Sequence, residues 1–163
     1  MDINETIRGV LKSLSSDLYA HHVELRAELT PNLPPVYGNR GQLQQVISNL
    51  IVNSIEAMET TPNRSRVLLV RSELRDNKAV AVGVKDSGPG IDKNRLDGIF
   101  TTFVSTKQHG MGLGLVISRM IIDYHGGKLT ASSEGKDGAS FQFLLPTAPV
   151  DKDGIRAGET IAT

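Results

Sequence analysis

Gly41-Gln42-Leu43-Gln44-Gln45-Val46-Ile47-Ser48-Asn49-Leu50-Ile51-Val52-Asn53-Ser54-Ile55-Glu56-Ala57-Met58 is the longest helical pattern in the chain, and its two faces decide the reading of the rest. At about 100° per residue, Leu43, Val46, Ile47, Leu50, Ile51, Ser54 and Met58 fall on one broad arc. Gln42, Gln45, Asn49, Asn53 and Glu56 fall within a narrow arc opposite. A solvated helix face is the default reading of such a stripe, but it normally carries Lys, Glu and Arg. Carboxamides dominate here, and Asn costs helix stability without an offsetting gain. Asn49 and Asn53 lie one turn apart, so their side-chain oxygens converge on one spot. Neutral oxygens beside a phosphate-bound cation suit Mg²⁺, which keeps waters and takes few protein ligands.

Working outward, the spacing of Ile7, Val10, Leu11, Leu14 and Leu18 predicts a helix from Asp2 to about Tyr19, with Asn4 as its N-cap. Residues 23–29 alternate strictly, which predicts a half-buried strand, and Pro31, Pro34 and Pro35 impose an extended connection after it. Beyond the central helix, residues 66–74 and 78–85 read as strands joined by a hairpin turn at Asp76-Asn77. Residues 86–90 break the pattern, and 100–110 have no clean period. Residues 111–124 return to helix, with Leu113, Val116, Ile117, Met120 and Ile121 on one face. Two strands at 128–133 and 140–145 follow, joined through Gly135 and Gly138 and ended by Pro146. The predicted class is α+β: a mixed, mostly antiparallel sheet with about three helices on one face. Residues 1–146 form one domain, and the polar, aperiodic stretch 147–163 reads as a linker or disordered tail.

Composition narrows the function. With 18 basic and 18 acidic residues scattered along 163 positions, the chain has no basic face for nucleic acid or an anionic membrane. The lack of cysteine removes disulfides, thiolate catalysis and Cys-ligated zinc. No stretch approaches the roughly 20 apolar residues of a membrane span. A cytoplasmic domain without direct membrane contact is expected.

Two glycine-bearing loops carry further chemistry. Asp86-Ser87-Gly88-Pro89-Gly90-Ile91 follows a strand directly. A tight turn explains its Gly and Pro but is indifferent to the Asp. Its carboxylate suits an acceptor for an exocyclic amine such as adenine N6, with glycines letting the backbone approach the base. Gly110-Met111-Gly112-Leu113-Gly114-Leu115 opens a helix. Its alternating glycines free backbone N–H groups to meet an anion at a helix N-terminus, though a hinge into a helix would use them too. Lys107 stands just upstream, where it would neutralise a terminal phosphate. Neither loop is a Walker A or a Gly-x-Gly-x-x-Gly motif.

Taken in this order, the motifs resemble the ATP-binding catalytic domain of bacterial sensor histidine kinases, the HATPase_c domain of the GHKL group. Residues 45–57 look like its N box, 86–91 its G1 box, 99–107 its F box and 110–115 its G2 box, while residues 126–129 and 138–146 look like its closing strands. The resemblance spans residues 2–146, and Glu56 with Ser105-Thr106-Lys107 points to the nitrogen-regulation and oxygen-sensing branch. It implies a Bergerat-type two-layer α/β sandwich holding ATP and Mg²⁺ between the central helix and a lid of about residues 92–110, an element that orders on nucleotide binding. Asp86 would accept from adenine N6, with Gly88, Gly90 and Ile91 lining the base and Ser140 supporting it. Asn53 would bind Mg²⁺, with Asn49 and Glu56 beside it, Asn49 facing the phosphates or metal-bound water. Lys107 and the backbone of Gly110, Gly112, Leu113 and Gly114 would hold the β- and γ-phosphates. Asn49 and Lys107 are the expected catalytic residues.

Two departures from the family pattern stand out. Met111 replaces a small, polar lid residue, which removes a side-chain contact but not the backbone cradle. No phosphoacceptor segment is present: His21, His22, His109 and His125 suit structural or solvated roles. The chain is therefore expected to be a fragment, monomeric by itself. It would partner a dimerisation hairpin that supplies the histidine and a response-regulator receiver domain, completing a two-component phosphorelay. Its closest rivals are a hydrolysing ATPase or serine kinase of the same fold, and a degenerate module that docks to a partner. The hydrolysing enzymes place a Glu general base where Asn49 stands, and Asn cannot accept a proton at neutral pH.

Overall fold

A computed structural model describes residues 1–100, 112–133 and 137–149. Its first helix, α1 (Ile3–Ser13), is capped by Asp2, whose carboxylate accepts from the N–H groups of Asn4 and Glu5. Asn4 is not the cap. It is buried, donating to Thr30 O at 2.7 Å and accepting from Ser72 Oγ at 2.6 Å. The expected single helix breaks at Leu14 and resumes as α2 (Ser15–Ala20). At the break, the Ser13 and Ser15 hydroxyls donate to the Gly9 and Lys12 carbonyls, the local competition with the helix ladder to which Ser is prone.

β1 (Val23–Leu29), β2 (Arg66–Arg75), β3 (Ala79–Asp86), β4 (Lys128–Ser133) and β5 (Ala139–Pro146) form one sheet in the order β1-β2-β3-β5-β4. β1 runs parallel to β2, and the other pairings are antiparallel. Asp76 and Asn77 both take positive φ, 51° and 55°, at the centre of the three-residue connection 76–78 between β2 and β3, where the Lys78 N–H donates to Arg75 O. Leu68, Val70, Val80, Val82, Val84, Phe141, Phe143 and Leu145 line the buried face. β1 departs from its predicted half-burial: residues 24–28 are exposed, because an edge strand has helical cover only near its ends, where Val23 and Leu29 meet the core.

The central helix is α3 (Arg40–Glu59). Its apolar arc is buried throughout, from Leu43 to Met58, against the sheet, α1 and α5 (Gly112–Tyr124). Each large apolar side chain so buried contributes on the order of 1.5–3 kcal/mol. On α5 the predicted face is rotated: Leu113 and Met120 are 43% and 65% exposed, whereas Ser118 and Ile122 are fully buried. A short helical turn, α4 (Lys93–Leu96), lies within the segment expected as a lid. After β5, Thr147 bridges Val36 and the Ala148 N–H donates to Pro35 O.

Candidate functional site

The polar stripe of α3 sinks into the protein along its length. Gln42 and Gln45 are exposed, Asn49 is half-buried, Asn53 is buried and Glu56 is half-buried. A merely solvated face would stay wet from end to end. Asn53 Nδ2 is buried without a hydrogen-bond partner among the described residues. Leaving such a group unmet costs about 1–3 kcal/mol. Rotation of the amide exchanges its nitrogen for its oxygen, so the position offers a buried oxygen donor equally well.

Beside the C-terminal half of α3 lies the loop after β3. Asp86 is 3% exposed, and its Oδ1 accepts from the Gly88 N–H at 2.9 Å and the Ala139 N–H at 3.3 Å. The loop is stitched down on every side. Ser87 Oγ accepts from Val67 N–H and donates to Ser65 O, Arg64 Nη1 donates to Gly88 O, and Ile91 N–H donates to Ser133 Oγ. Gly88 packs directly on α3, where a Cβ would fall 3.3 Å from the Ala57 carbonyl carbon. Gly90 takes φ 81°, which a residue with a side chain rarely adopts.

The first turns of α5 also meet α3. Asn49 Nδ2 donates to Gly114 O at 3.4 Å and to Ser118 Oγ at 3.3 Å. Asn49 and Asn53 are thus placed along α3, Asp86 and Gly88 at and just after the end of β3, and Gly114 in the first turn of α5. Leu113 is largely exposed. Ser140 is not brought to Asp86. Alternation along β5 puts it on the sheet face opposite Phe141, and the group that reaches the carboxylate is the neighbouring Ala139 amide. Lys107 and Gly110 lie outside the described residues, as does His109.

Three residues absent from the sequence reading take part. Ser118 holds Asn49, Arg64 holds Gly88, and Ser133 joins Ile91 to the Gly138 carbonyl. The signal for Ser118 was its place as a lone hydroxyl in an apolar helix; Arg64 and Ser133 carried none. Two of the histidines have structural places: His21 pairs with Glu59 at 2.7 Å, and His125 joins α5 to the start of α3. No group of three or more His, Cys, Asp or Glu that could hold a metal ion gathers among the described residues.

Comparison with known proteins gives the family of the chain. The family described as histidine kinase-, DNA gyrase B-, and HSP90-like ATPase matches residues 38–149, and the chain belongs to it. Within that family it is the HATPase_c domain of a sensor histidine kinase. The sensor protein TdiS of Thauera aromatica is 39% identical over 89% of this chain and 27% of its own length. The sensor protein FixL of Bradyrhizobium diazoefficiens is 41% identical over 78% of this chain and 25% of its own. The chain thus spans about a quarter of these relatives. The catalytic domain of the histidine kinase ThkA superposes with a TM-score of 0.77 at 31% identity, over 90% of this chain and 93% of that domain. Full-length ShkA, solved with AMPPNP, gives 0.80 at 27% identity, over 96% of this chain and 31% of its own.

Proposed function

We propose that the chain holds Mg-ATP between α3 and its flanking loops and presents the γ-phosphoryl group to a histidine on a separate dimerisation hairpin. The observation that carries this is the carboxamide stripe that sinks to a buried Asn53 amide, whose nitrogen has no hydrogen-bond partner among the described residues. Asp86 accepts from the adenine amino group, held in place by the Gly88 and Ala139 amides. Gly88, Gly90 and Ile91 line the base. Asn53 supplies an oxygen to Mg²⁺, with Asn49 and Glu56 beside it. Mg²⁺, when bound, neutralises phosphate charge. Lys107 and the amides of Gly110, Gly112 and Gly114 meet the β- and γ-phosphates at the start of α5.

Phosphoryl transfer asks the protein mainly to position groups and stabilise charge. The bond between the γ-phosphorus and its bridging oxygen breaks as an imidazole nitrogen bonds the phosphorus. That imidazole comes from the hairpin, and a response-regulator receiver domain then takes the group. The structure of ThkA in complex with the response regulator TrrA, at 29% identity and a TM-score of 0.76, supports such a partner. A cytoplasmic site follows from the supply of ATP, and no helix among the described residues is long and apolar enough to cross a membrane.

Hydrolysis is the second reading, and Asn49 argues against it: a carboxamide already donating to α5 is no general base for water. Incubating the chain with γ-labelled ATP and the parent's hairpin domain tests the choice. Label that is acid-labile and base-stable on the hairpin is expected. Brisk release of inorganic phosphate by the chain alone would overturn the reading.

A further inference from the structure

On the buried side of α5, Leu115, Ile121 and Ile122 meet the core, and Ser118 stands among them with no exposed surface. A buried hydroxyl without a partner is costly. Here Ser118 Oγ accepts from Asn49 Nδ2 at 3.3 Å, and Gly114 O, one turn earlier, accepts from the same nitrogen at 3.4 Å. Two acceptors stacked along α5 therefore claim the nitrogen arm of the Asn49 amide. The group is planar with nitrogen and oxygen on opposite arms, so Oδ1 is turned away from α5.

We infer that Ser118 is a positioning residue: by holding the nitrogen of Asn49 against α5, it aims the Asn49 oxygen at the phosphate-bound cation or its water. This rests on the Mg-ATP reading above. Without Ser118, among the described residues only the long contact to Gly114 O orients the amide, and a rotation of half a turn would present a donor where the site needs an acceptor. The link also joins α3 to the helix that begins in the second glycine loop, so the two halves of the phosphate site share one amide.

The test is a double-mutant cycle of Ser118→Ala and Asn49→Ala, read by calorimetric titration with Mg-ATP and, separately, with adenosine. Ser118→Ala is expected to weaken Mg-ATP roughly three- to tenfold, the worth of one neutral hydrogen bond. It should leave adenosine unchanged and add nothing in the Asn49→Ala background. Equal weakening of adenosine and Mg-ATP would reduce Ser118 to a packing role and overturn the inference, as would independent, additive losses or no loss. Ser118→Cys keeps the volume with a weaker acceptor. It should show a smaller loss of the same selectivity, and it keeps the test open should the alanine variant unfold. Failure of the unmodified chain to bind Mg-ATP would instead overturn the nucleotide reading itself.

Discussion

Gly138 is pressed against Asp86: at φ 93°, a Cβ on Gly138 would overlap the Asp86 carbonyl oxygen. The next residue, Ala139, gives its N–H to the Asp86 carboxylate. The turn before β5 thereby holds the acidic side chain in place.

Gly138→Ala combines a strained φ with overlap against backbone that cannot step aside. A loss of at least about 2 kcal/mol is expected, measured as a lower urea midpoint, with ATP affinity falling in the molecules that remain folded. Gly9→Ala is the contrast. Gly9 lies inside α1, and the nearest atom to a Cβ there is 3.9 Å away. That change should stabilise the protein by about 0.5–1 kcal/mol through helix propensity alone.

Asp86→Asn keeps an oxygen for the Gly88 and Ala139 amides but replaces the other carboxylate oxygen with a donor. If the carboxylate receives the adenine amine, ATP affinity drops about 10- to 100-fold, the cost of an unpaired buried donor. Discrimination against a 6-oxo purine triphosphate should narrow at the same time, because the new amide can donate to the oxo group. Parallel titrations with ATP and ITP check both effects.

His125 Nε2 accepts from the Asn39 N–H at 3.0 Å, while Nδ1 lies 2.7 Å from the Ile121 carbonyl oxygen. The ring is therefore the neutral tautomer protonated at Nδ1. Asn39 is itself the N-cap of α3, accepting from Gln42 N–H, so the imidazole ties the end of α5 to the start of the site helix. His125→Ala should cost about 1 kcal/mol, seen as a lower midpoint in chemical denaturation. Gly38→Ala should disturb the same joint, since its Cβ would lie 2.7 Å from the His125 ring.

The site helix was legible because its two arcs differ sharply in chemistry, and the structure buries every residue assigned to the apolar arc. The hairpin at Asp76-Asn77 was legible because positive φ selects Asp and Asn. α5 was harder to phase. Apolar residues surround it nearly completely, so the face carrying Leu113 and Met120 looked as good as the one that packs. A buried serine gave no periodic signal. Neighbouring residues of β5 point to opposite faces, so Ser140 lies on the face opposite Phe141 and the group that reaches the Asp86 carboxylate is the Ala139 backbone amide. Exposure of β1 reflects its place at the sheet edge, which alternation does not encode. Asn4 and Asp2 are both good N-caps by residue type, and the tertiary partners of Asn4, Thr30 and Ser72, separate them.

Asn53, buried on the α3 stripe, is the residue we propose to hold the cation of Mg-ATP. Calorimetric titration of ATP into the unmodified chain and into Asn53→Ala, each with Mg²⁺ and with a chelator, tests it most directly. Binding to the unmodified chain should be saturable and weaken when Mg²⁺ is removed, whereas the variant should bind more weakly and respond little to Mg²⁺. Identical Mg²⁺ dependence in the two proteins, or no binding to the unmodified chain, would show that Asn53 does not hold the cation.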